Sequence, residues 1–318
     1  MNNRHIKWLN TFAKNWQDRE AHGRVPHAVL LAGPVGVGKR AAATWIAARR
    51  LGVDVDAPVP EYPVPNLEHA DLHWIAPLED KQTIGIEQVR DLVAEFNLTS
   101  YEGHGKVAII EPANAMTHNA ANSLLKTLEE PPGDAILVLV ADRAGRLPAT
   151  IFSRCQRIDI ALPGEAEGLA WLDQLQPGAD WRTALKLAGG APLAAVGALD
   201  ELDTHAKMSR EFAGVARGRL SPLEVAGNWV KLDTAFVLDW LARQVQEAIL
   251  LASGGAQSPA TPAIDESVLK RMDTRNLFCY LDIINRLRGQ PKGSFNVQLT
   301  LETLLIDWAE GLALRKTV

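Results

Sequence analysis

A glycine-rich segment near the N-terminus carries the clearest chemical signal in the sequence. Residues 33–40 read Gly-Pro-Val-Gly-Val-Gly-Lys-Arg and lie between a predicted strand and a predicted helix. A phosphate-binding loop of the form G-x-x-x-x-G-K-[ST] requires this context, because its glycines let successive backbone N–H groups turn toward a phosphate and its lysine adds positive charge. The predicted nucleotide-binding residues are Gly33, Gly36, Gly38 and Lys39.

The same loop lacks parts that hydrolysis needs. Arg40 stands where a Ser or Thr hydroxyl would coordinate Mg²⁺, and a guanidinium cannot ligate a cation. The strand predicted over 106–110 ends in Glu111 and Pro112, where a hydrolytic site has two adjacent acids, and Pro112 has no carboxylate to polarise water. The sequence therefore predicts a degenerate phosphate loop without intrinsic ATPase activity and without a bound metal. Binding of ATP or ADP without Mg²⁺ stays open, and no cofactor is required.

These residues need a parallel sheet to position them. Over the first 160 residues, apolar strand-like runs alternate with segments of helical periodicity, which predicts parallel strands joined by helical crossovers. One crossover helix is predicted over 117–130, with Thr117 as its N-cap and two prolines after it. The predicted strands are 28–32, 72–76, 107–110, 136–140 and 156–160.

Strand signals end after Pro163-Gly164, and helical periodicity continues to the C-terminus. Amphipathic helices are predicted over 234–252, 274–288 and 299–314, with irregular segments over 53–65 and 253–263. The sequence predicts an α/β domain over 1–162, a small helical domain over 163–203 and an all-helical domain over 204–318.

The composition is that of an ordinary globular protein. Hydrophobic residues make up 47% and charged residues 22% of the 318 residues, which excludes a membrane bundle and a wholly disordered chain. Lys and Arg number 33 against 38 Asp and Glu, so the net charge of −5 gives no global attraction for nucleic acid. Two distant cysteines, Cys155 and Cys279, and an N-terminus without an apolar signal segment predict a cytoplasmic protein in a reducing compartment.

Two further segments carry a longer motif. Residues 111–132 include Asn-Ser-Leu-Leu-Lys-Thr-Leu-Glu-Glu-Pro-Pro, and residues 147–155 read Leu-Pro-Ala-Thr-Ile-Phe-Ser-Arg-Cys. Both resemble the bacterial clamp-loader subunits of DNA polymerase III, a branch of the AAA+ family. Segments 25–28 and 296–305 extend the resemblance to nearly the full length. It implies a RecA-like AAA+ domain with a parallel sheet, a three-helix lid and an all-helical collar domain through which the subunit joins a ring.

The resemblance also implies a function and partners. Clamp loaders place a ring-shaped sliding clamp onto primed DNA during replication, in the cytoplasm. The implied direct partners are the ATPase subunits of the loader and its clamp-opening delta subunit. The sliding clamp and the primed DNA would be reached through the complex, and no membrane is involved.

Within this resemblance, Arg154 matches the arginine that reaches the ATP of a neighbouring subunit. A guanidinium offered in trans stabilises charge on a γ-phosphate, an effect worth about 10³ to 10⁵ in rate in GTPases. Three more arginines, Arg143, Arg146 and Arg157, add positive charge nearby. Without the surrounding motif, an ordinary surface or strand-entry arginine would be the better interpretation of Arg154.

Some family features are missing from the sequence. Family members commonly carry a four-cysteine zinc module before the second strand, but residues 51–80 contain no cysteine, so no zinc is expected. His69 and His73 are the only conceivable replacement ligands there, and a structural role is favoured for both. Asp142 stands near the position of a polar phosphate sensor, and no basic residue lies between Lys186 and Lys207 to act as a lid sensor.

Two other functions compete with a non-hydrolysing loader subunit. An active AAA+ motor of the same machine would need a hydroxyl at position 40, acids at 111 and 112, and a lid arginine. A P-loop kinase would need the loop hydroxyl and a substrate site, and neither is visible in the sequence. A steady-state ATPase assay separates these hypotheses.

Overall fold

The structure is a computed structural model that describes residues 5–53, 58–79, 81–142, 145, 147–254, 269, 272–290 and 293–312. The chain forms two compact units, residues 1–200 and residues 201–318. The finer division into three domains stays a prediction. Some predicted features fall wholly or partly outside the described residues: Arg143, Arg146, part of segment 53–65, most of segment 253–263 and the last two residues of the helix predicted over 299–314.

The first unit contains a five-stranded parallel sheet. The strands are β1 (Ala28–Ala32), β2 (Leu72–Ile75), β3 (Val107–Ile110), β4 (Ile136–Ala141) and β5 (Gln156–Asp159). Their order across the sheet is β2-β3-β4-β1-β5. The predicted strands are confirmed, with ends that differ by at most one residue.

The register of β1 and β4 decides what meets at the carboxyl edge of the sheet. Both strands are buried along their whole length, as expected for parallel strands covered on two faces. Ala32 pairs with Ala141, and the Gly33 N–H donates to the Ala141 carbonyl oxygen at 3.3 Å. The residues that follow these two strands, Gly33 and Asp142, are therefore neighbours although they are far apart in sequence.

Helices cover the sheet and complete the first unit. The predicted crossover helix begins as expected, because the Thr117 Oγ1 accepts from the Ala120 N–H at 3.2 Å. Sequence periodicity did not predict the first helix, whose buried face includes Phe12 and Trp16. The helices are α1 (Asn10–Ala21), α2 (Lys39–Arg50), α3 (Ile86–Phe96), α4 (His118–Glu129), α5 (Ala149–Phe152), α6 (Glu165–Leu175), α7 (Trp181–Leu187) and α8 (Pro192–Asp200).

The second unit is helical and has its own aromatic core. The Phe212 and Trp308 rings stack at 4.3 Å between centroids, and the buried Tyr280 hydroxyl donates to the Leu304 carbonyl oxygen at 2.7 Å. Its helices are α9 (Leu202–Ala216), α10 (Pro222–Trp229), α11 (Thr234–Ala252), α12 (Thr274–Arg288) and α13 (Val297–Ala309). The three predicted amphipathic helices match the last three, except that α13 starts and ends earlier than predicted. Among the described helices, none combines the length and apolarity that a membrane span needs.

Candidate functional site

The predicted phosphate loop joins β1 to α2 at the carboxyl edge of the sheet. Gly36 has a φ of 81°, a left-handed conformation, and a Cβ at this position would lie 2.5 Å from the Ala194 Cβ. A Cβ at Gly33 would lie 2.2 Å from the Ile160 carbonyl oxygen. Gly38 caps α2 in a left-handed conformation. The loop therefore has the glycine-dependent backbone that the sequence predicted.

Lys39 lies in this loop with its ammonium group fully occupied. The Nζ atom is 2.8 Å from Asp142 Oδ1, and it donates to the carbonyl oxygens of Gly33 and Pro34 at 2.9 and 2.5 Å. An ammonium has three N–H donors, so these three acceptors account for all of them. The Lys39 side chain is 5% exposed and that of Asp142 is 31% exposed. Asp142 thus takes the place that a phosphate would need beside Lys39.

Arg40 occupies the neighbouring position, where a metal ligand is required. Its guanidinium lies over the Trp74 ring, 4.9 Å from the ring centroid, and its Nε is 3.6 Å from Glu111 Oε2. Burial raises the pKa of the Glu111 carboxyl above its ordinary value, although the Arg40 charge opposes this shift. The acid left at the end of β3 therefore faces an arginine of its own chain.

Two other parts of the first unit close over the loop. The Trp8 indole N–H donates to the Val37 carbonyl oxygen at 2.8 Å. The Leu193 N–H, near the start of α8, donates to the Gly36 carbonyl oxygen at 3.0 Å. The residues present do not fit a magnesium–nucleotide complex, because Arg40 replaces the metal ligand and the lysine charge is already paired.

The two histidines considered as replacement zinc ligands have protein partners. His69 Nε2 lies 3.2 Å from Glu102 Oε2, and His73 Nδ1 lies 2.9 Å from Glu95 Oε2. Across the ranges that the structure describes, no group of three or more His, Cys, Asp or Glu side chains is placed to hold a metal ion. The geometry of the histidines is that of side chains paired with glutamates around the start of β2.

Arg154 lies after α5, at an exposed edge of the first unit. Its guanidinium donates to Glu129 Oε1 from both Nε and Nη2, the Nε bond measuring 2.6 Å. Its Nη1 donates to the Thr150 carbonyl oxygen at 3.1 Å and to Ser153 Oγ at 3.0 Å. Burial raises the pKa of the neighbouring Cys155 thiol to about 12, which keeps it protonated at neutral pH.

The predicted positive edge is locally neutralised in the described residues. Arg157 forms an ion pair with Asp159 at 2.7 Å, and Arg154 is paired with Glu129. Sequence analysis missed that pairing, together with the Asp142 partner of Lys39 and the Trp74 ring under Arg40. The family resemblance already placed Asp142 near a phosphate-sensing position, but no local sequence pattern indicated that it would contact Lys39.

Comparisons with known proteins point to one family. The sequence profile of the family described as "DNA polymerase III, delta subunit" matches residues 8–163. DNA polymerase III subunit delta-prime of Pseudomonas aeruginosa is 30% identical and covers 92% of this chain and 95% of its own length. The Escherichia coli K12 protein of the same name is 34% identical over 75% of this chain and 73% of its own length.

A solved structure agrees on the fold. A DNA polymerase III gamma subunit-related protein of Thermotoga maritima superposes with a TM-score of 0.50 over 96% of this chain and 100% of its own, at 19% sequence identity. The predicted fold class, a RecA-like AAA+ α/β domain with a parallel sheet and an all-helical C-terminal part, is confirmed.

Proposed function

This chain belongs to the delta-prime family of DNA polymerase III subunits, and we propose that it is a clamp-loader subunit that hydrolyses no ATP itself. It helps to load a sliding clamp onto primed DNA and works in the cytoplasm with the ATPase subunits and the delta subunit of the loader. The clamp and the DNA are reached through the complex. The proposed subunit needs no cofactor and no zinc.

The environment of Lys39 carries the first half of this proposal. A phosphate loop works when its lysine is free to contact the β- and γ-phosphates of a nucleotide. Here the ammonium gives all three donors to its own chain, and one acceptor is the Asp142 carboxylate at 2.8 Å. A nucleotide would have to displace Asp142 from the buried Lys39 ammonium and then lie close to the negative charge of that carboxylate. We therefore expect no turnover by this loop.

The Arg40 cluster supports the same conclusion independently. The guanidinium of Arg40 puts a positive charge where an active site has Mg²⁺, held between the Trp74 ring and Glu111. Glu111 is the sole acid at the end of β3 because Pro112 follows it. With neither a metal ligand nor a second carboxylate, the loop cannot place or activate water.

The second half of the proposal gives Arg154 a role in trans. The residue lies in the motif Ser153-Arg154-Cys155, at a partly exposed edge, and follows the short helix α5. An arginine at such an edge can reach a phosphate held by another subunit, where its planar fork matches the phosphate oxygens. Arg154 then acts on the ATP of a neighbouring ATPase subunit.

An ATPase assay on the purified chain tests the first half. We expect hydrolysis equal to that of Lys39→Ala, with circular dichroism confirming that the variant is folded. A Lys39-dependent turnover of about 1 s⁻¹, which is ordinary for an enzyme, would contradict this expectation and favour an active motor subunit.

A reconstituted clamp loader tests the second half. Arg154→Ala should enter the complex stoichiometrically and lower clamp- and DNA-stimulated ATP hydrolysis sharply, with a loss at the one site involved of about 10³ to 10⁵, the range for trans arginines in GTPases. Arg154→Lys should rescue poorly, because an ammonium cannot make the two-pronged contact. Wild-type turnover in the Arg154→Ala complex would remove this residue from the mechanism.

A further inference from the structure

The resting position of Arg154 is set by a carboxylate of its own chain. Glu129 is the last residue of α4, and its Oε1 accepts two hydrogen bonds from the Arg154 guanidinium. The two residues are 25 positions apart, so the contact joins the end of α4 to the segment after α5. This contact orients the side chain proposed above to act in trans.

The hydrogen-bond donors of Arg154 are nearly all used, which leaves too few for a two-pronged contact to a phosphate. A guanidinium has five N–H donors in one plane. Two of them go to Glu129, and the two of Nη1 go to the Thr150 carbonyl oxygen and Ser153 Oγ. One donor on Nη2 remains. A two-pronged contact to a phosphate needs two donors on one edge of the fork, so it requires that Arg154 give up a present partner.

Glu129 is the partner that can be given up most readily. Its side chain is 50% exposed and that of Arg154 is 31% exposed, so water replaces the lost bonds when the pair separates. The carboxylate and the terminal phosphate of a nucleotide are both anionic oxygen acceptors, and they compete for the same edge of the guanidinium. The contacts to Thr150 and Ser153, which are near neighbours in sequence, can persist during such an exchange.

We propose that Glu129 is a positioning residue that holds Arg154 against its own subunit and yields it to the γ-phosphate of a nucleotide bound by the neighbouring subunit. This inference rests on the proposed trans role of Arg154. The Glu129 carboxylate opposes the trans contact because it occupies two donors of the guanidinium.

The expected effect of Glu129→Gln follows from this competition. The substitution keeps the shape of the side chain and one acceptor oxygen, but it removes the negative charge and with it the ion pair to the guanidinium. Arg154 should then reach the phosphate more readily. We expect kcat/KM for ATP hydrolysis by the reconstituted loader to rise about two- to fivefold at low salt, the range that corresponds to an exposed ion pair.

Matched variants separate this effect from a structural one. Glu130→Gln removes the adjacent carboxylate at the same helix end and should leave kcat/KM unchanged. The double variant Glu129→Gln/Arg154→Ala should match Arg154→Ala alone, because Glu129 acts only through Arg154. An unchanged or lowered kcat/KM in Glu129→Gln would overturn the inference, as would a rise that persists in the double variant.

A measurement on the free chain makes the inference independent of complex assembly. Phenylglyoxal reacts with free guanidinium groups, and the modified residue is identified by mass spectrometry. Arg154 should react about two- to fivefold faster in Glu129→Gln than in the wild type, while Arg157, paired with Asp159, should keep its rate. An unchanged Arg154 rate would overturn the inference. Wild-type ATP turnover in the Arg154→Ala complex would instead overturn the proposed function, and this inference with it.

Discussion

Two cations of the first unit have a carboxylate of the same chain where a phosphate could bind, and their surroundings differ. Lys39 is 5% exposed and gives all three donors to acceptors of its own chain, among them Asp142, which is 31% exposed. Arg154 and Glu129 are 31% and 50% exposed, and the guanidinium keeps one donor. Removing the partner of a buried lysine leaves its charge without solvent, whereas an exposed pair exchanges with water at little cost. The burial of Lys39 therefore predicts that Asp142 is the more persistent partner and Glu129 the more exchangeable one.

The two pairs also differ in how the fold assembles them. The pairing of Ala32 with Ala141 places Asp142 beside the loop, and the Asp142 N–H donates to Asn114 Oδ1 at 2.9 Å, which fixes its position. Arg154 meets Glu129 between a helix end and a short turn, without a strand register. We expect the first pair to contribute to folding stability and the second to contribute little.

The largest expected difference is in stability. Lys39→Met removes a buried charge and leaves Asp142 and two carbonyl oxygens without their donor, so the free energy of unfolding should fall by about 2–3 kcal/mol. Arg154→Met should change it by no more than about 1 kcal/mol, because its pair is exposed. Urea unfolding followed by circular dichroism measures both. Equal losses would refute the distinction between the two pairs.

Removing the Asp142 carboxylate from Lys39 should allow the loop to bind an anion. Asp142→Ser removes the carboxylate beside Lys39 and leaves room for a phosphate oxygen, so tripolyphosphate should bind about tenfold more tightly than to the wild type, equivalent to about 1.4 kcal/mol. Isothermal titration calorimetry measures this affinity. Asp159→Ser, which removes the exposed partner of Arg157, is the control and should have no effect. Equal binding by Asp142→Ser and the wild type would show that other contacts close the loop.

Salt should increase the rate of chemical modification of Arg154 and leave that of Lys39 unchanged. At about 1 M NaCl the screening length falls to about 3 Å, so the exposed Arg154–Glu129 pair weakens and phenylglyoxal modification of Arg154 should rise by about twofold. Acetylation of Lys39 should stay slow at every salt concentration, with exposed Lys231 as the reference. Parallel salt responses of Arg154 and Lys39 would contradict the comparison.

The smallest effect concerns Glu111, which lies beside the buried pair. Because burial raises the pKa of this carboxyl above its ordinary 4.5, the native state keeps a proton that the unfolded state has lost at pH values just above 4.5. The native state binds more protons there, so the contribution of Glu111 to the free energy of unfolding falls as pH rises through this range. Glu111→Gln should remove that fall. Urea unfolding between about pH 4.5 and 6.5 measures this pH dependence in both proteins. Identical pH profiles for the wild type and Glu111→Gln would refute the raised pKa of Glu111.

Much of the fold was predictable because it depends on local sequence. The five strands came from short apolar runs, and the Thr117 cap came from a polar residue before an amphipathic run. The first helix was missed, because its buried residues are only Phe12, Ala13 and Trp16, which give a weak periodic signal. Local signals predict elements well when their buried face is regular.

The chemistry of the candidate site was predictable only in part. The glycines, Lys39, Arg40 and Pro112 follow from residue type and spacing, and they already predict a loop without hydrolysis. Arg154 came from a motif shared with a family. Each of these inferences concerns one continuous segment. The residue types in such a segment limit its chemistry independently of the tertiary structure.

The partners of these residues were decided by the tertiary structure alone. Asp142 reaches Lys39 because β1 and β4 pair in one register, and Trp74 lies under Arg40 because β2 lies next to β3. Glu129 meets Arg154 because α4 ends beside the turn after α5. The sequence determined which cations are present, since their chemistry belongs to single residues. Only the fold decided which carboxylate neutralises each cation and how much water reaches it, because both depend on distances between segments that local patterns do not encode.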